Sequence, residues 1–283
     1  MLDQSIINLY DEYTHKPLSR KIFLKRLAQL AGSTSAAFSI LPLLESNYSA
    51  SNKTANVDLF TEYITYAGVN GEMKAYVARP KEEKQYPTVV IIHENRGLNG
   101  HIEDVARRAA QAGYLAIAPN ALAPLGAIAN EDEARKKFQE LKAEDNLQNF
   151  IRVFDYLATR KDSTGKYGCV GFCWGGAMTN SLAVNVDKLK AAVAFYGRQA
   201  DAADVPKIKA ALQLHYAALD ERVNAGIPAY EEALKKAKID YTLYMYEGVN
   251  HAFHNDTSTA RYNEVAAKLA WERTIAFFDK YLK

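Results

Sequence analysis

Short apolar runs alternate with amphipathic segments along most of the chain from Phe60 onward. Some of these runs are apolar at consecutive positions, as in Val89-Val90-Ile91-Ile92. A strand that is apolar on both faces is typical of a sheet covered by helices on both sides. The pattern predicts strands at residues 62–66, 73–78, 88–93, 115–118, 167–171, 191–196, 211–215 and 242–246, and helices at residues 102–111, 131–143, 147–158, 177–183, 229–238 and 260–281.

Strands that alternate with helices form βαβ units, and such units build a mainly parallel sheet. The segment Gly68-Val69-Asn70-Gly71 joins the first two predicted strands and has the composition of a hairpin loop, which adds an antiparallel edge. The sequence after residue 56 contains no internal repeat, low-complexity tract or interdomain linker. We therefore expect one α/β domain over residues 56–283, a mainly parallel sheet with an antiparallel N-terminal hairpin and helices on both faces.

Residues 1–55 differ from the rest and are treated as an N-terminal extension. The stretch Ser19-Arg20-Lys21-Ile22-Phe23-Leu24-Lys25-Arg26 resembles a twin-arginine export signal, with Lys21 in place of the second arginine. The uncharged run that follows, residues 27–44, contains several polar residues and falls short of the roughly 20 mostly apolar residues of a stable membrane span. A retained amphipathic helix, with Leu24, Leu27 and Leu30 on one face, is the alternative. Cytoplasmic and periplasmic locations therefore both stay open.

Composition narrows the class of protein. Of 283 residues, 35 are Lys or Arg and 33 are Asp or Glu, so a net charge of +2 gives no indication of a nucleic-acid or membrane-surface protein. Two cysteines without a Cys-x-x-Cys pair exclude a disulfide scaffold and a zinc ribbon. The chain also has no phosphate-binding loop and no Gly-x-Gly-x-x-Gly after a strand, so we expect no cofactor and no metal.

A candidate nucleophile lies in Gly171-Phe172-Cys173-Trp174-Gly175, between a predicted strand and a predicted helix. Gly-x-Cys-x-Gly in this position is the cysteine form of the nucleophile elbow of α/β-hydrolases. The tight turn leaves no room for side chains two residues before and after the nucleophile, and the following helix directs its first N–H groups to the same point. The other cysteine, Cys169, lies inside the strand and is expected in the core.

A candidate acid and a candidate base follow the nucleophile along the chain, in the order that is typical of α/β-hydrolases. Asp220 comes 220 − 173 = 47 residues after the cysteine, and His251 comes 251 − 220 = 31 residues after Asp220, each in a loop after a predicted strand. Glu221 is the alternative acid and His254 the alternative base. A zinc site on His251 and His254 lacks a third ligand. His215 is expected in the core, and His15 and His101 carry no functional signal.

These motifs resemble the dienelactone hydrolase family over about residues 60–283. The resemblance rests on Gly171-Phe172-Cys173-Trp174-Gly175-Gly176, on Asp220, on Gly248-Val249-Asn250-His251-Ala252-Phe253 and on His93-Glu94-Asn95-Arg96-Gly97. It implies a hydrolase of small esters or lactones, in which Cys173 attacks the carbonyl, His251 transfers the proton and Asp220 orients the imidazole.

The resemblance also implies roles for residues around the nucleophile. Glu94 matches the glutamate that the family places beside the cysteine. The backbone N–H groups of Asn95 and Trp174 would form the oxyanion hole. Tyr196 and Phe253 are expected to line the substrate pocket.

Two arginines that hold the substrate carboxylate in dienelactone enzymes of the family are missing. The region of the first reads Pro119-Asn120-Ala121-Leu122-Ala123-Pro124, and the position of the second is Asn255. We therefore expect dienelactone itself to be a poor substrate, since neither side chain replaces a guanidinium clamp. Four further arginines are interpreted as surface residues: Arg96, Arg198, Arg222 and Arg261.

A small molecule is thus the expected partner, and the oligomeric state is not readable from the sequence. Two other hypotheses stay open. One is a small-molecule-binding protein with the hydrolase fold and little turnover. The other is a peptidase, which is disfavoured because no insert large enough for a peptide cleft is visible.

Overall fold

A computed structural model describes residues 2–46, 54, 58–128 and 130–283, and an eight-stranded sheet lies at its centre. The strands are β1 (Leu59–Ala67), β2 (Glu72–Pro80), β3 (Tyr86–Ile92), β4 (Leu115–Asn120), β5 (Ser163–Phe172), β6 (Leu189–Phe195), β7 (Ala211–Ala217) and β8 (Tyr241–Tyr246). Their order in the sheet is β1-β2-β4-β3-β5-β6-β7-β8. Every strand predicted from the apolar runs is present, with ends that differ by a few residues.

The first two strands form the predicted hairpin. β1 pairs antiparallel with β2, and β2 pairs antiparallel with β4, whereas the other neighbours are parallel. The N–H of Gly68 donates to the carbonyl of Gly71 at 2.9 Å and closes the loop. The prediction of a mainly parallel sheet with an antiparallel edge is confirmed.

Helices cover both faces of the sheet. In the body of the chain they are α4 (Gly100–Gln111), α5 (Glu131–Glu140), α6 (Ala143–Thr159), α7 (Trp174–Asn185), α8 (Glu221–Asn224), α9 (Ile227–Ala237) and α10 (Glu264–Leu282), with α1 to α3 in the extension. Phe154 of α6, Leu182 of α7 and Leu234 of α9 pack into one core cluster. Ile102 of α4 and Phe278 of α10 pack into a second. The α/β-hydrolase fold class is confirmed.

Helix α7 begins three residues earlier than the helix propensity of its sequence indicates. α7 starts at Trp174, directly after Cys173, whereas the sequence pattern predicts its start at residue 177 because glycine is a poor helix former. The reason for the glycine is close packing: a Cβ on Gly176 would lie 2.6 Å from the carbonyl oxygen of Phe195. The structure therefore tolerates weak helix formers here in order to bring α7 against β6.

The extension forms three helices, α1 (Gln4–His15), α2 (Arg20–Ala31) and α3 (Thr34–Leu44). The uncharged run is broken at Gly32, whose φ of 82° ends α2. Leu27 is fully buried in a cluster with rings such as Phe23, whereas Leu30 is 47% exposed, so the expected Leu24–Leu27–Leu30 face is only partly correct. α1 was not predicted, although Ile6, Leu9, Tyr10 and Tyr13 recur at helical spacing on its buried side.

The extension is bonded to loops of the body. Asn95 donates from Nδ2 to the carbonyl of Thr14 at 2.9 Å, and Gln4 Nε2 donates to Asn250 Oδ1 at 2.6 Å. At the other end of the extension, the N–H of Ala260 donates to the carbonyl of Leu43 at 3.0 Å. These contacts make the extension part of the packed structure. The compartment of the protein remains a prediction from the Arg20-Lys21 motif.

Within the described residues, no single helix has both the length and the apolar character to cross a membrane. Helices α2 and α3 together satisfy that length and composition, but they meet at a bend of 110°.

We expect Leu27→Ala to loosen the extension, because truncating a buried leucine costs about 2–5 kcal/mol. Amide hydrogen exchange measured by mass spectrometry should become faster across α1, α2 and α3. Leu30→Ala, on the exposed side of the same helix, is the matched control and should leave exchange unchanged. Equal exchange in the two variants would contradict the packing described here.

Candidate active site

The backbone turns sharply at Cys173, between β5 and α7. Its φ is 56°, a left-handed conformation that a residue with a side chain rarely adopts. A Cβ on Gly171 would lie 2.0 Å from the carbonyl oxygen of Gly175, and a Cβ on Gly175 would lie 2.3 Å from that of Ile92. The two glycines flanking the cysteine are thus required by close approach of the backbone, as the elbow motif predicts.

The turn places Cys173 at the edge of a cavity of about 600 Å³. Cys173 precedes the first residue of α7, so its sulfur lies at the positive end of the helix dipole. Cys169 is fully buried in β5, and burial raises the pKa of its thiol to about 12. The two cysteines therefore occupy different environments, a core position and a cavity wall.

Asp220 and His251 lie together after β7 and β8. Nδ1 of His251 lies 2.5 Å from Oδ2 of Asp220, and both side chains are buried. The other carboxylate oxygen of Asp220 accepts from the N–H of Val223 at 3.2 Å and caps α8, which fixes the carboxylate. Nε2 of His251 has no hydrogen-bond partner among the described residues, and His251 lines the cavity beside Cys173. The alternative acid and base, Glu221 and His254, do not form this pair.

A second imidazole reaches the cysteine from the extension. Nε2 of His15, at the end of α1, lies 3.1 Å from Sγ of Cys173. Nδ1 of His15 lies 2.8 Å from the backbone oxygen and 3.2 Å from Oδ1 of Asp11. The rings of His15 and His251 meet edge to face, with centroids 4.9 Å apart. His15 was not predicted as a site residue. The four-residue spacing of Asp11 and His15 indicates an acid–imidazole pair on one helix, but it does not indicate the contact with Cys173.

Charges around the sulfur favour its ionised form. Burial disfavours the thiolate, but the charges of His15 and His251 outweigh burial and lower the pKa of Cys173 to about 6. Burial lowers the pKa of His251, but Asp220, Asp11 and Cys173 raise it well above its usual value. Burial raises the pKa of Asp220, but the charge of His251 and its hydrogen bond outweigh burial, so the net pKa lies below its usual value. The buried groups thus favour a thiolate among imidazolium ions.

Glu94 is held by two neighbours. Oε2 of Glu94 accepts from Nδ2 of Asn255 at 2.7 Å, and Oε1 accepts from the hydroxyl of Tyr196 at 3.3 Å. Glu94, Cys173 and His251 line one small cavity, so the glutamate lies near the sulfur without a hydrogen bond to it in the structure. The amide of Asn255 thus orients Glu94.

The other expected site residues fall into two groups. Asn95, Trp174 and Tyr196 line the large cavity. Phe253 does not line it: the ring is fully buried and packs behind Tyr196, with centroids 5.4 Å apart. The expectation that Phe253 lines the pocket is therefore wrong, because the backbone turns at Ala252 (φ 65°) between His251 and Phe253.

His254 and His215 are core residues. His254 stacks on Phe172 with centroids 4.8 Å apart, and His215 is fully buried with Nδ1 2.8 Å from the hydroxyl of Tyr246. One set of metal-type donors does occur in the described residues: ring nitrogens of His15 and His251 and the sulfur of Cys173 lie within 4.8 Å of one another.

Arginines surround the cavity. Four line it: Arg96, Arg135, Arg198 and Arg222. Arg222 donates from Nε to Oδ2 of Asp11 at 3.1 Å, Arg96 donates to the carbonyl of Asn95 at 2.9 Å, and Arg135 lies 4.6 Å from the ring centre of Tyr13. Arg261, expected on the surface, is instead buried and donates to the hydroxyl of Ser258.

Comparisons with known proteins identify the family. Residues 73–282 match the model of the dienelactone hydrolase family. Two proteins named "Putative carboxymethylenebutenolidase" are similar: that of Saccharolobus solfataricus is 31% identical over 78% of this chain and 98% of its own, and that of Synechocystis is 30% identical over 80% and 99%. The crystal structure of "Putative Dienelactone Hydrolase" from Klebsiella pneumoniae superimposes with a TM-score of 0.71, at 28% identity over 79% of this chain and 99% of that one.

The fold and the comparisons define an α/β-hydrolase. The chain belongs to the dienelactone hydrolase family and is a hydrolase of the ester or lactone type. The family match begins at residue 73, so it includes Cys173, Asp220 and His251 and leaves out His15.

We expect Gly171→Ala to destabilise the fold by about 3 kcal/mol or more, because its Cβ collides with backbone that cannot retreat. Gly32→Ala is the control: Gly32 is in the left-handed helical conformation (φ 82°, ψ −14°) with open surroundings, so alanine there adds only backbone strain of about 1–2 kcal/mol. Urea denaturation gives both free energies of unfolding. An equal loss of unfolding free energy in the two variants would contradict the close backbone packing at the elbow.

Proposed function

We propose that the protein hydrolyses small esters or lactones through a thioester formed on Cys173. The observation that carries this proposal is the buried Asp220–His251 pair, 2.5 Å apart, beside a cysteine at an elbow that faces a cavity of about 600 Å³. A carboxylate that fixes one ring nitrogen of a histidine leaves the other nitrogen for proton transfer. The cavity has the size of a small-molecule site.

The reaction has two halves. In the first, the Cys173 thiolate attacks the substrate carbonyl, a sulfur–carbon bond forms, and the carbon–oxygen bond to the leaving alcohol breaks. The leaving oxygen takes a proton from His251. In the second, water gives a proton to His251 and attacks the thioester, and the bonding electron pair returns to sulfur.

Backbone N–H groups would hold the negative oxygen of the tetrahedral intermediate. Trp174 begins α7, where N–H groups have no partner in the preceding turn, and Asn95 lies across the cavity edge. One such donor contributes on the order of 3 kcal/mol to the transition state. The side chain of Asn95 donates to Thr14, which fixes the loop that carries its N–H.

The lining of the cavity favours compact substrates with an apolar part. Phe138, Leu147 and Met178 supply apolar surface on the side of α5, α6 and α7. Of the four arginines, three are already engaged by protein groups, as described above. This arrangement supports a small neutral ester or lactone rather than a substrate held by a pair of free guanidinium groups.

We expect Cys173→Ala to abolish hydrolysis of activated esters such as p-nitrophenyl acetate, because the nucleophile is removed. Cys169→Ala is the matched control, since Cys169 lies in the core and should keep turnover close to that of the parent protein. Initial rates, with circular dichroism to verify folding, decide the outcome. Full turnover by Cys173→Ala would exclude the thioester mechanism.

We expect dienelactone to be turned over at least about tenfold less efficiently than a neutral ester of similar size, because the two carboxylate-binding arginines are missing. Asn255 cannot substitute, since its amide is committed to Glu94 and Thr257. The measurement is kcat/KM for dienelactone and for its methyl ester. Faster turnover of the free acid would refute this prediction.

A further inference from the structure

The extension touches the body next to each proposed catalytic residue. Gln4 bonds to Asn250, the neighbour of His251; Asp11 pairs with Arg222, two residues after Asp220. Thr14 accepts from Asn95, the proposed oxyanion donor. Three separate loops of the site are thus held by one helix, α1, at whose end His15 reaches the sulfur.

The environment of His15 partly resembles that of His251, because each imidazole has an aspartate on its Nδ1 side. Nδ1 of His251 is bonded directly to the Asp220 carboxylate at 2.5 Å, whereas Nδ1 of His15 lies 2.8 Å from the backbone carbonyl of Asp11 and 3.2 Å from its carboxylate. Each approaches Cys173 from a different direction, and the rings are nearly perpendicular. The two differ in how they act on the sulfur. Nε2 of His15 lies 3.1 Å from it, within hydrogen-bond distance, whereas Nε2 of His251 makes no direct hydrogen bond to the described residues and acts on the sulfur mainly through its charge.

We propose that His15 is a second catalytic imidazole, which holds the Cys173 sulfur as a thiolate and leaves His251 free to carry the proton between leaving group and water. This inference rests on the proposed function and divides its chemistry between two histidines. His15 keeps its proton through both halves of the reaction. It donates to the sulfur in the resting enzyme and again when the thioester carbon–sulfur bond breaks and the electron pair returns to sulfur.

Electrostatics agree with this division. Burial lowers the pKa of His15, but Cys173 and Asp11 outweigh burial and raise it to about 9, so the ring stays protonated at neutral pH. Titratable and charged groups surround the sulfur from every neighbouring element. His15 of α1, Glu94 and Arg96 after β3, His251 after β8 and Arg261 before α10 line the small cavity with Cys173, and Tyr196 after β6 and Arg222 of α8 line the larger one. Asp11 and Asp220 stand behind the two imidazoles.

The test is the pH dependence of Cys173 alkylation by iodoacetamide, which reacts with the thiolate. EDTA in the buffer keeps metal ions from the three donors. In the parent protein the alkylation rate should rise with pH around a midpoint of about 6. His15→Gln removes the positive charge but keeps a donor, and should move the midpoint up by about one unit or more. Lys16→Ala is the matched control, because Lys16 is exposed, and it should leave the midpoint unchanged.

Ester hydrolysis supplies the second readout. The variant His15→Gln should have a kcat several-fold lower than that of the parent protein near pH 6.5. At higher pH, where the thiol ionises without His15, part of this loss of kcat should be restored. His15→Ala removes the positive charge and the donor together, should raise the alkylation midpoint at least as far, and serves if His15→Gln does not fold. An unchanged midpoint in a folded variant overturns the inference, and so does faster hydrolysis, which would mean that His15 blocks the sulfur.

These experiments distinguish a failure of the proposed ester hydrolysis from a failure of the proposed role of His15. Alkylation reports on the thiolate and needs no substrate, so a shifted midpoint supports the role of His15 even if no ester is hydrolysed. Conversely, hydrolysis that depends on Cys173 but is indifferent to His15 leaves the proposed function standing and removes the second imidazole.

Discussion

The site depends on the left-handed backbone at Cys173. With a φ of 56°, the turn between β5 and α7 directs the side chain away from the sheet and toward the cavity. Such a conformation persists only where its surroundings enforce it. Here the enforcement comes from Gly171 and Gly175, which let α7 approach β5 and β3 more closely than any side chain would allow. Every other group of the site acts on the position that this turn creates.

A buried thiolate needs compensating charge, and the chain supplies it from parts that are distant in sequence. His251 and Asp220 come from loops at the carboxyl edge of the sheet, the usual location of catalytic groups in open α/β folds. His15 and Asp11 come from the extension, which lies outside residues 73–282, the part of the chain that matches the family model. Because α1 also holds Asn95 and Arg222, docking of the extension shapes both the electrostatics and the loops of the site.

Local patterns predicted the fold and the elbow because their causes are local. Apolar runs mark strands, and the glycines around Cys173 mark a turn whose crowding arises within a few residues. Asp220 and His251 could be placed because each follows a predicted strand. His15 could not, since its contact with Cys173 spans 158 residues and depends on how a whole helix docks. Phe253 was misplaced for a related reason: adjacency to His251 does not reveal that the backbone reverses at Ala252.

Trapping the covalent intermediate tests the central claim most directly. The protein is mixed rapidly with p-nitrophenyl acetate, quenched in acid before turnover is complete, and analysed by intact mass and by peptide mapping. A single acetyl group on the peptide that contains Cys173, located on the sulfur itself, is the result that the thioester mechanism predicts. Hydrolysis that proceeds with Cys173 unmodified, or with the acetyl group on another side chain, would contradict it.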